Sequence, residues 1–144
     1  MNEIECAAMA GCGDAQAGYE TLKQRYPSLG ILLTLGSEGS VSWKDGVEIR
    51  QCAYPVQAVD TTGAGDTFLG ALAGYLSTLP PGLPSFEEVK RGIVYGTVAA
   101  SFTCESFSAD ALLSMTKETF RRRLEEYAEM CRLPDIRLSS ASAC

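Results

Sequence analysis

The stretch that decides the reading is AVDTTGAGDTFLGALAGYL, residues 58–76. Two aspartates and two glycines crowd into a short turn, and a run of small and apolar residues follows at once. The composition change marks the start of a helix, with Asp66 in its first turn. Backbone N–H groups at such a start lack partners inside the helix, and the dipole end is positive. Glycines at 63 and 65 let a ligand approach the backbone closely. The turn therefore suits an anion, including the charge on a transferring phosphoryl group. Taken singly, Asp66 is equally well a favourable first-turn acid. Gly70 and Gly74 stand one turn apart and weaken the helix, so the sequence predicts a close neighbour against them.

Two familiar phosphate motifs fail on detail. A P-loop needs GxxxxGK[ST], and no lysine follows here. A dinucleotide fingerprint needs a third glycine where this chain has Phe68.

Upstream, DAQAGYETLKQRYPSLG predicts a helix from about Asp14 to Tyr26, with Ala15, Tyr19, Leu22 and Tyr26 recurring at helical spacing and Pro27 at its end. GILLTLGSEGSVSW reads as strand, glycine turn, strand, with the apolar run at 31–35 suiting a buried strand. KDGVEIRQCAYPV reads as a turn at Asp45-Gly46 and a further strand. Downstream, LPPGLPS is a loop. SFEEVKRGIVYGTVAASF is a helix opened by a Ser85/Glu88 capping box, with Phe86, Val89, Ile93, Thr97 and Ala100 on one face. TKETFRRRLEEYAEMCRL is a last amphipathic helix with Phe120, Leu124 and Tyr127 inward. Arg121, Arg122 and Arg123 read as a solvated face pairing with Glu125 and Glu126. Trp43 reads as packing. The order of elements gives an α/β chain with helices layered on a small sheet of three or four strands.

Composition narrows the function. The 144 residues are 46% hydrophobic and 21% charged, with a net charge of −6. That balance argues against a general nucleic-acid or anionic-membrane surface. No window reaches the roughly 18 to 20 apolar residues of a membrane span. The start, MNEIECAAMAGCGD, is acidic where a signal peptide is basic. Six cysteines at 6, 12, 52, 104, 131 and 144 form no CxxC pair, and the chain has no histidine. Common zinc sites and histidine-based nucleophile schemes lose their support, and free thiols in the cytoplasm are expected.

DTTGAGDTFLGAL resembles the C-terminal signature of the ribokinase-like (PfkB) carbohydrate kinase family. NEIE resembles its N-x-x-E motif, LTLGSEGS resembles its T-x-G-x-x-G segment, and AYPVQAVDTTGAGD keeps the usual spacing into the loop. The segment from Tyr95 to Glu118 is similar to a bacterial sugar-kinase branch. The likeness runs over residues 2–133, nearly the whole chain.

The resemblance implies a three-layer α/β/α fold represented by its C-terminal half. Residues 1–133 would be the ATP side with the catalytic loop, and 134–144 a loose tail. It implies an ATP-dependent phosphotransferase acting on a hydroxyl of a sugar or nucleoside. Asp66 would be the catalytic base. Gly63, Ala64 and Gly65, with the Asp66 N–H, would form the anion hole. Thr34, Gly36 and Gly39 would line the ATP site. Asn2 and Glu5 would hold a magnesium-water network. Asp60 and Thr62 match positions that support a monovalent cation, potassium, in some members. The SFTCESFSA segment departs from the ribokinase pattern where that cation's other ligands lie. Family members are roughly twice as long and carry most sugar contacts in the other half. A catalytically incomplete nucleotide-binding fragment therefore stands as the alternative, and an unrelated α/β protein with an anion-binding turn as a third reading. Loss of neighbouring strands would expose apolar surface, so a marginal, aggregating or homo-oligomeric chain is expected.

Overall fold

A computed structural model describes residues 1–108 and 110–131. The tail expected at 134–144, and the last two residues of the predicted final helix, lie outside the described residues. The chain divides into two compact units after Ala53.

The first unit, Met1–Ala53, layers two helices on one face of a three-stranded antiparallel sheet. Helix α1 spans Glu3–Ala10 and α2 spans Ala15–Arg25. The strands are β1 (Ile31–Thr34), β2 (Ser40–Lys44) and β3 (Val47–Gln51), in that order. Asp14 caps α2 by accepting the Ala17 N–H at 2.9 Å. Leu33 faces Val41 and Ile31 faces Trp43, which puts these four on one side. They meet Cys6, Ala10, Tyr19 and Leu22 in a single core, with Trp43 packed at its margin.

Two expectations need correction here, and one helix is new. The run at 31–35 is not buried throughout. Only Ile31 and Leu33 are fully buried, because successive side chains of a strand point to opposite faces and these two face the helices. Tyr26 is 42% exposed, since α2 ends before it. Helix α1 has no counterpart among the elements that the sequence predicts. The Asp45-Gly46 turn is as expected: φ values of 51° and 82° give a tight hairpin between β2 and β3.

The second unit is helical. Its elements are α3 (Ala64–Ser77), α4 (Phe86–Cys104), the single turn α5 (Asp110–Leu113) and α6 (Lys117–Met130). Ser85 and Glu88 form the expected capping box on α4, with Ser85 N–H donating to Glu88 Oε2 at 2.7 Å. The expected inward stripe is too narrow. Of its five residues only Ile93 is fully buried, while Val94, Val98, Ala99 and Phe102 are buried as well. Helix α4 is covered on two sides, so its small and apolar residues run round most of the cylinder. On one side Val94, Val98 and Phe102 pack with Leu124 and Tyr127 of α6, and Phe120 joins from the margin.

On the other side α4 meets α3, and here the glycine expectation reverses. Nothing lies within 4 Å of where a Cβ on Gly70 or Gly74 would sit. The close approach is made by glycines of α4. A Cβ on Gly96 would lie 2.8 Å from the Phe68 carbonyl oxygen, and one on Gly92 2.8 Å from Leu72 Cδ1.

The three arginines differ from one another. Arg121 pairs with Glu118, and Arg122 lies 4.0 Å from Glu126. Arg123 is not solvated: its side chain is 13% exposed and pairs with Glu105 at 2.8 Å.

Candidate functional site

Asn2, Glu5, Thr34, Gly36 and Gly39 fall in the first unit. Asn2 is the N-cap of α1. Its Oδ1 accepts the Glu5 N–H at 2.9 Å, and Glu5 Oε2 accepts the Asn2 N–H at 2.8 Å. The N-x-x-E pair is thus a reciprocal capping box. Asn2 also forms a parallel bridge with Thr34, and the Thr34 N–H donates to the Met1 carbonyl at 3.0 Å. These contacts bring the N-x-x-E pair beside the T-x-G turn, a closeness that sequence spacing does not disclose.

The turn itself is a single 3-10 turn over Gly36–Glu38. Gly36 and Gly39 have φ of 55° and 96°, backbone that side chains rarely tolerate. At Gly39 a Cβ would also overlap the Gln51 carbonyl oxygen, so this glycine is required by packing as well.

Asp60, Thr62, Gly63, Ala64, Gly65 and Asp66 lie together in the second unit. Asp60 Oδ1 accepts the Thr62 N–H at 2.9 Å, a local turn that holds the Asp60 carboxyl below its ordinary range. Gly63 is left-handed, with φ of 79°, and reverses the chain into α3. The Ala64 N–H donates back to the Thr61 carbonyl at 3.2 Å. Among the described residues the N–H groups of Gly63, Gly65 and Asp66 make no hydrogen bond. Ala64 therefore shapes the turn more than it offers a donor. No atom lies within 4 Å of where a Gly65 Cβ would be, which leaves open space over the turn. Asp66 sits exposed at the third position of α3. The unbonded donors of Gly65 and Asp66, inside the positive end of a 14-residue helix and beside a carboxylate, can take an anion and accept a proton.

Sequence reasoning missed what mounts this turn. The Cys104 carbonyl at the end of α4 accepts the Val59 N–H at 2.8 Å and lies 3.4 Å from the Asp60 N–H. Thr103 Oγ1 donates to Thr67 Oγ1 at 2.9 Å, tying the last turn of α4 to the first turn of α3. Residues 103 and 104 carry no motif that advertises either contact. Burial, with Glu105 and Asp60 nearby, raises the Cys104 thiol above its ordinary value.

Among the described residues no group of three His, Cys, Asp or Glu side chains could hold a metal ion. No described helix is long and apolar enough to cross a membrane.

Comparison with known proteins gives a consistent picture. The model of the pfkB family carbohydrate kinases matches residues 1–115. Fructokinase of Klebsiella pneumoniae is 31% identical over 87% of this chain and 39% of its own length. Ribokinase of Staphylococcus aureus (strain COL) is 33% identical over 61% of this chain and 27% of its own length. The chain thus spans well under half the length of these two relatives. Aminoimidazole riboside kinase from Salmonella enterica, solved with aminoimidazole riboside and an ATP analog, superposes with a TM-score of 0.73. That match has 21% identity and covers 85% of this chain and 40% of the other. It shows the ribokinase-like α/β fold in partial form, as the resemblance of the DTTGAGDTFLGAL stretch implies. On the span and specificity of these matches, the chain belongs to the pfkB family of carbohydrate kinases.

Proposed function

We propose that this chain carries the phosphoryl-transfer side of an ATP-dependent kinase whose acceptor is a hydroxyl of a sugar or nucleoside. Residues 1–133 are its ATP side and catalytic loop. The observation that carries the reading is the 60–66 turn, where free N–H groups of Gly65 and Asp66 stand beside the exposed Asp66 carboxylate.

In this reading the acceptor oxygen attacks the γ-phosphorus while the bond to the ADP oxygen breaks. Charge on the transferring group falls on the donors of the 63–66 turn, which need no reorganisation to receive it. The proton of the acceptor hydroxyl passes to Asp66. Position matters more than base strength, because a loose transition state releases that proton late. Thr34, Gly36 and Gly39 line the nucleotide site, where a turn held by left-handed glycines keeps side chains away from a phosphate chain.

Magnesium would neutralise phosphate charge. With no three-acid cluster among the described residues, Asn2 and Glu5 fit an outer-sphere role through water. Glu5 keeps one carboxylate oxygen outside the capping box for that purpose. Asp60 and Thr62 are the residues offered to a monovalent cation, for which the anionic Asp60 side chain is a fitting donor. Cytoplasmic residence is part of the same reading.

The test is Asp66→Asn, assayed for ATP turnover with ribose, fructose and a nucleoside. Turnover should fall by about 10²- to 10⁴-fold while the Mg-ATP-dependent rise in Tm persists. Undiminished turnover refutes the base role. A Tm rise in the unaltered chain with no turnover on any acceptor identifies a nucleotide-binding chain that lacks the rest of its site.

A further inference from the structure

We propose that Arg123 of α6 is a positioning residue for the 60–66 turn; the kinase reading bears only on what that turn binds. The guanidinium of Arg123 gathers the end of α4. Nη2 donates to both Glu105 carboxylate oxygens, at 2.8 and 3.1 Å, and Nη1 donates to Ser101 Oγ at 3.0 Å. The guanidinium carbon lies 3.7 Å from the Phe102 ring centroid and 5.0 Å from that of Tyr54. The Tyr54 hydroxyl donates to Glu126, also on α6, at 2.6 Å.

These partners flank the turn on both sides. Tyr54 stands six residues before Asp60, in the segment that leads into it. On the other side, the last turn of α4 carries the Cys104 carbonyl that accepts from Val59, and the Thr103 hydroxyl that donates to Thr67. The turn is therefore suspended from residues 103 and 104, and Arg123 fixes residues 101, 102 and 105 around them.

Charge explains why an arginine is needed there. The last turn of α4 has no basic residue, and its C-cap is Glu105. An acid at the negative end of a helix dipole is unfavourable. Arg123 supplies the missing cation from a different helix. Its two amino nitrogens hold Glu105 and Ser101 at once while the guanidinium lies over the Phe102 ring, a combination that a lysine ammonium does not reproduce.

The competing explanation is a plain clamp between α4 and α6, which would stabilise the whole unit evenly. Amide hydrogen exchange on the 144-residue chain separates the two, with Arg123→Lys and Arg123→Met compared with the unaltered protein. The Val59 and Thr67 amides should exchange roughly tenfold faster in both variants, while Val98 in α4 and Val41 in β2 keep their rates. Unchanged Val59 and Thr67 rates in a folded variant overturn the proposal, as does equal acceleration at Val59, Thr67 and Val98. Where Arg123→Met does not fold, Glu105→Gln removes the partner's charge at constant size and must give the same local pattern. Absence of kinase turnover would count against the proposed function alone, since the exchange pattern is read without substrate.

Discussion

Asn2 and Glu5 hold each other's backbone: Asn2 Oδ1 accepts the Glu5 N–H and Glu5 Oε2 accepts the Asn2 N–H, at 2.9 and 2.8 Å. One pair of residues thus starts a helix and offers a carboxylate at the same time. The two roles can be separated, because glutamine preserves an acceptor oxygen where glutamate has one but removes the charge.

Glu5→Gln should leave the melting temperature nearly unchanged, since the capping box survives. Asn2→Ala should cost about 1 kcal/mol, the usual loss for an N-cap. If Glu5 holds magnesium-bound water, Glu5→Gln should raise the magnesium concentration needed for half-maximal stabilisation by ATP, and Asn2→Ala should raise it less. Equal magnesium curves for Glu5→Gln and the unaltered chain would confine Glu5 to capping.

Gly96 and Gly70 make a second contrast, in packing. A Cβ on Gly96 would press on the Phe68 carbonyl at 2.8 Å and on its ring at 3.0 Å, and the backbone oxygen cannot swing aside. Gly96→Ala should destabilise by about 1 to 3 kcal/mol, partly offset by better helix propensity. Gly70 has nothing within 4 Å, so Gly70→Ala should stabilise by about 0.5 to 1 kcal/mol. Urea melts of both variants check the signs. Destabilisation by Gly70→Ala would mean that a surface does cover that face of α3.

These contrasts show which features the sequence could carry. Local signals were legible. The Ser85/Glu88 box and the Asp45-Gly46 turn are set by residues within four positions of each other, and both form as the sequence predicts. The start of α3 at the glycine turn belongs with them. Helix α1 was hidden because its start signal is the same Asn2/Glu5 pair that also reads as chemistry, and only eight residues follow. What depends on distant partners was not legible. Gly70 and Gly74 look like a contact surface, but α3 meets α4 through Phe68 and Leu72, and the glycines that admit them are on α4. Arg123 sits in a run of three arginines and differs from its neighbours only in facing the end of α4, 18 residues back at Glu105. The same holds for the candidate site. Its turn could be read from DTTGAGD, whereas its suspension from Thr103 and Cys104 could not.

Asp60 gives a prediction in pH. Its carboxylate accepts the Thr62 N–H, which lowers its pKa in the folded chain below the ordinary 3.8. A group whose folded value is depressed contributes stability above its unfolded value, and that contribution disappears as pH falls through the folded value. The turn should therefore be fully supported from neutral pH down to about pH 5, and should loosen progressively once the medium passes below 3.8. Asp60→Asn keeps an acceptor oxygen but cannot titrate. In the unaltered chain the Thr62 amide should lose protection in acid relative to Asp60→Asn, and the two should behave alike near neutrality apart from a constant offset. Because the side chain is well solvated, the effect belongs in local exchange at Thr62 more than in the global melt. A Thr62 amide whose protection has the same pH profile in both proteins would remove Asp60 as the group that holds the turn.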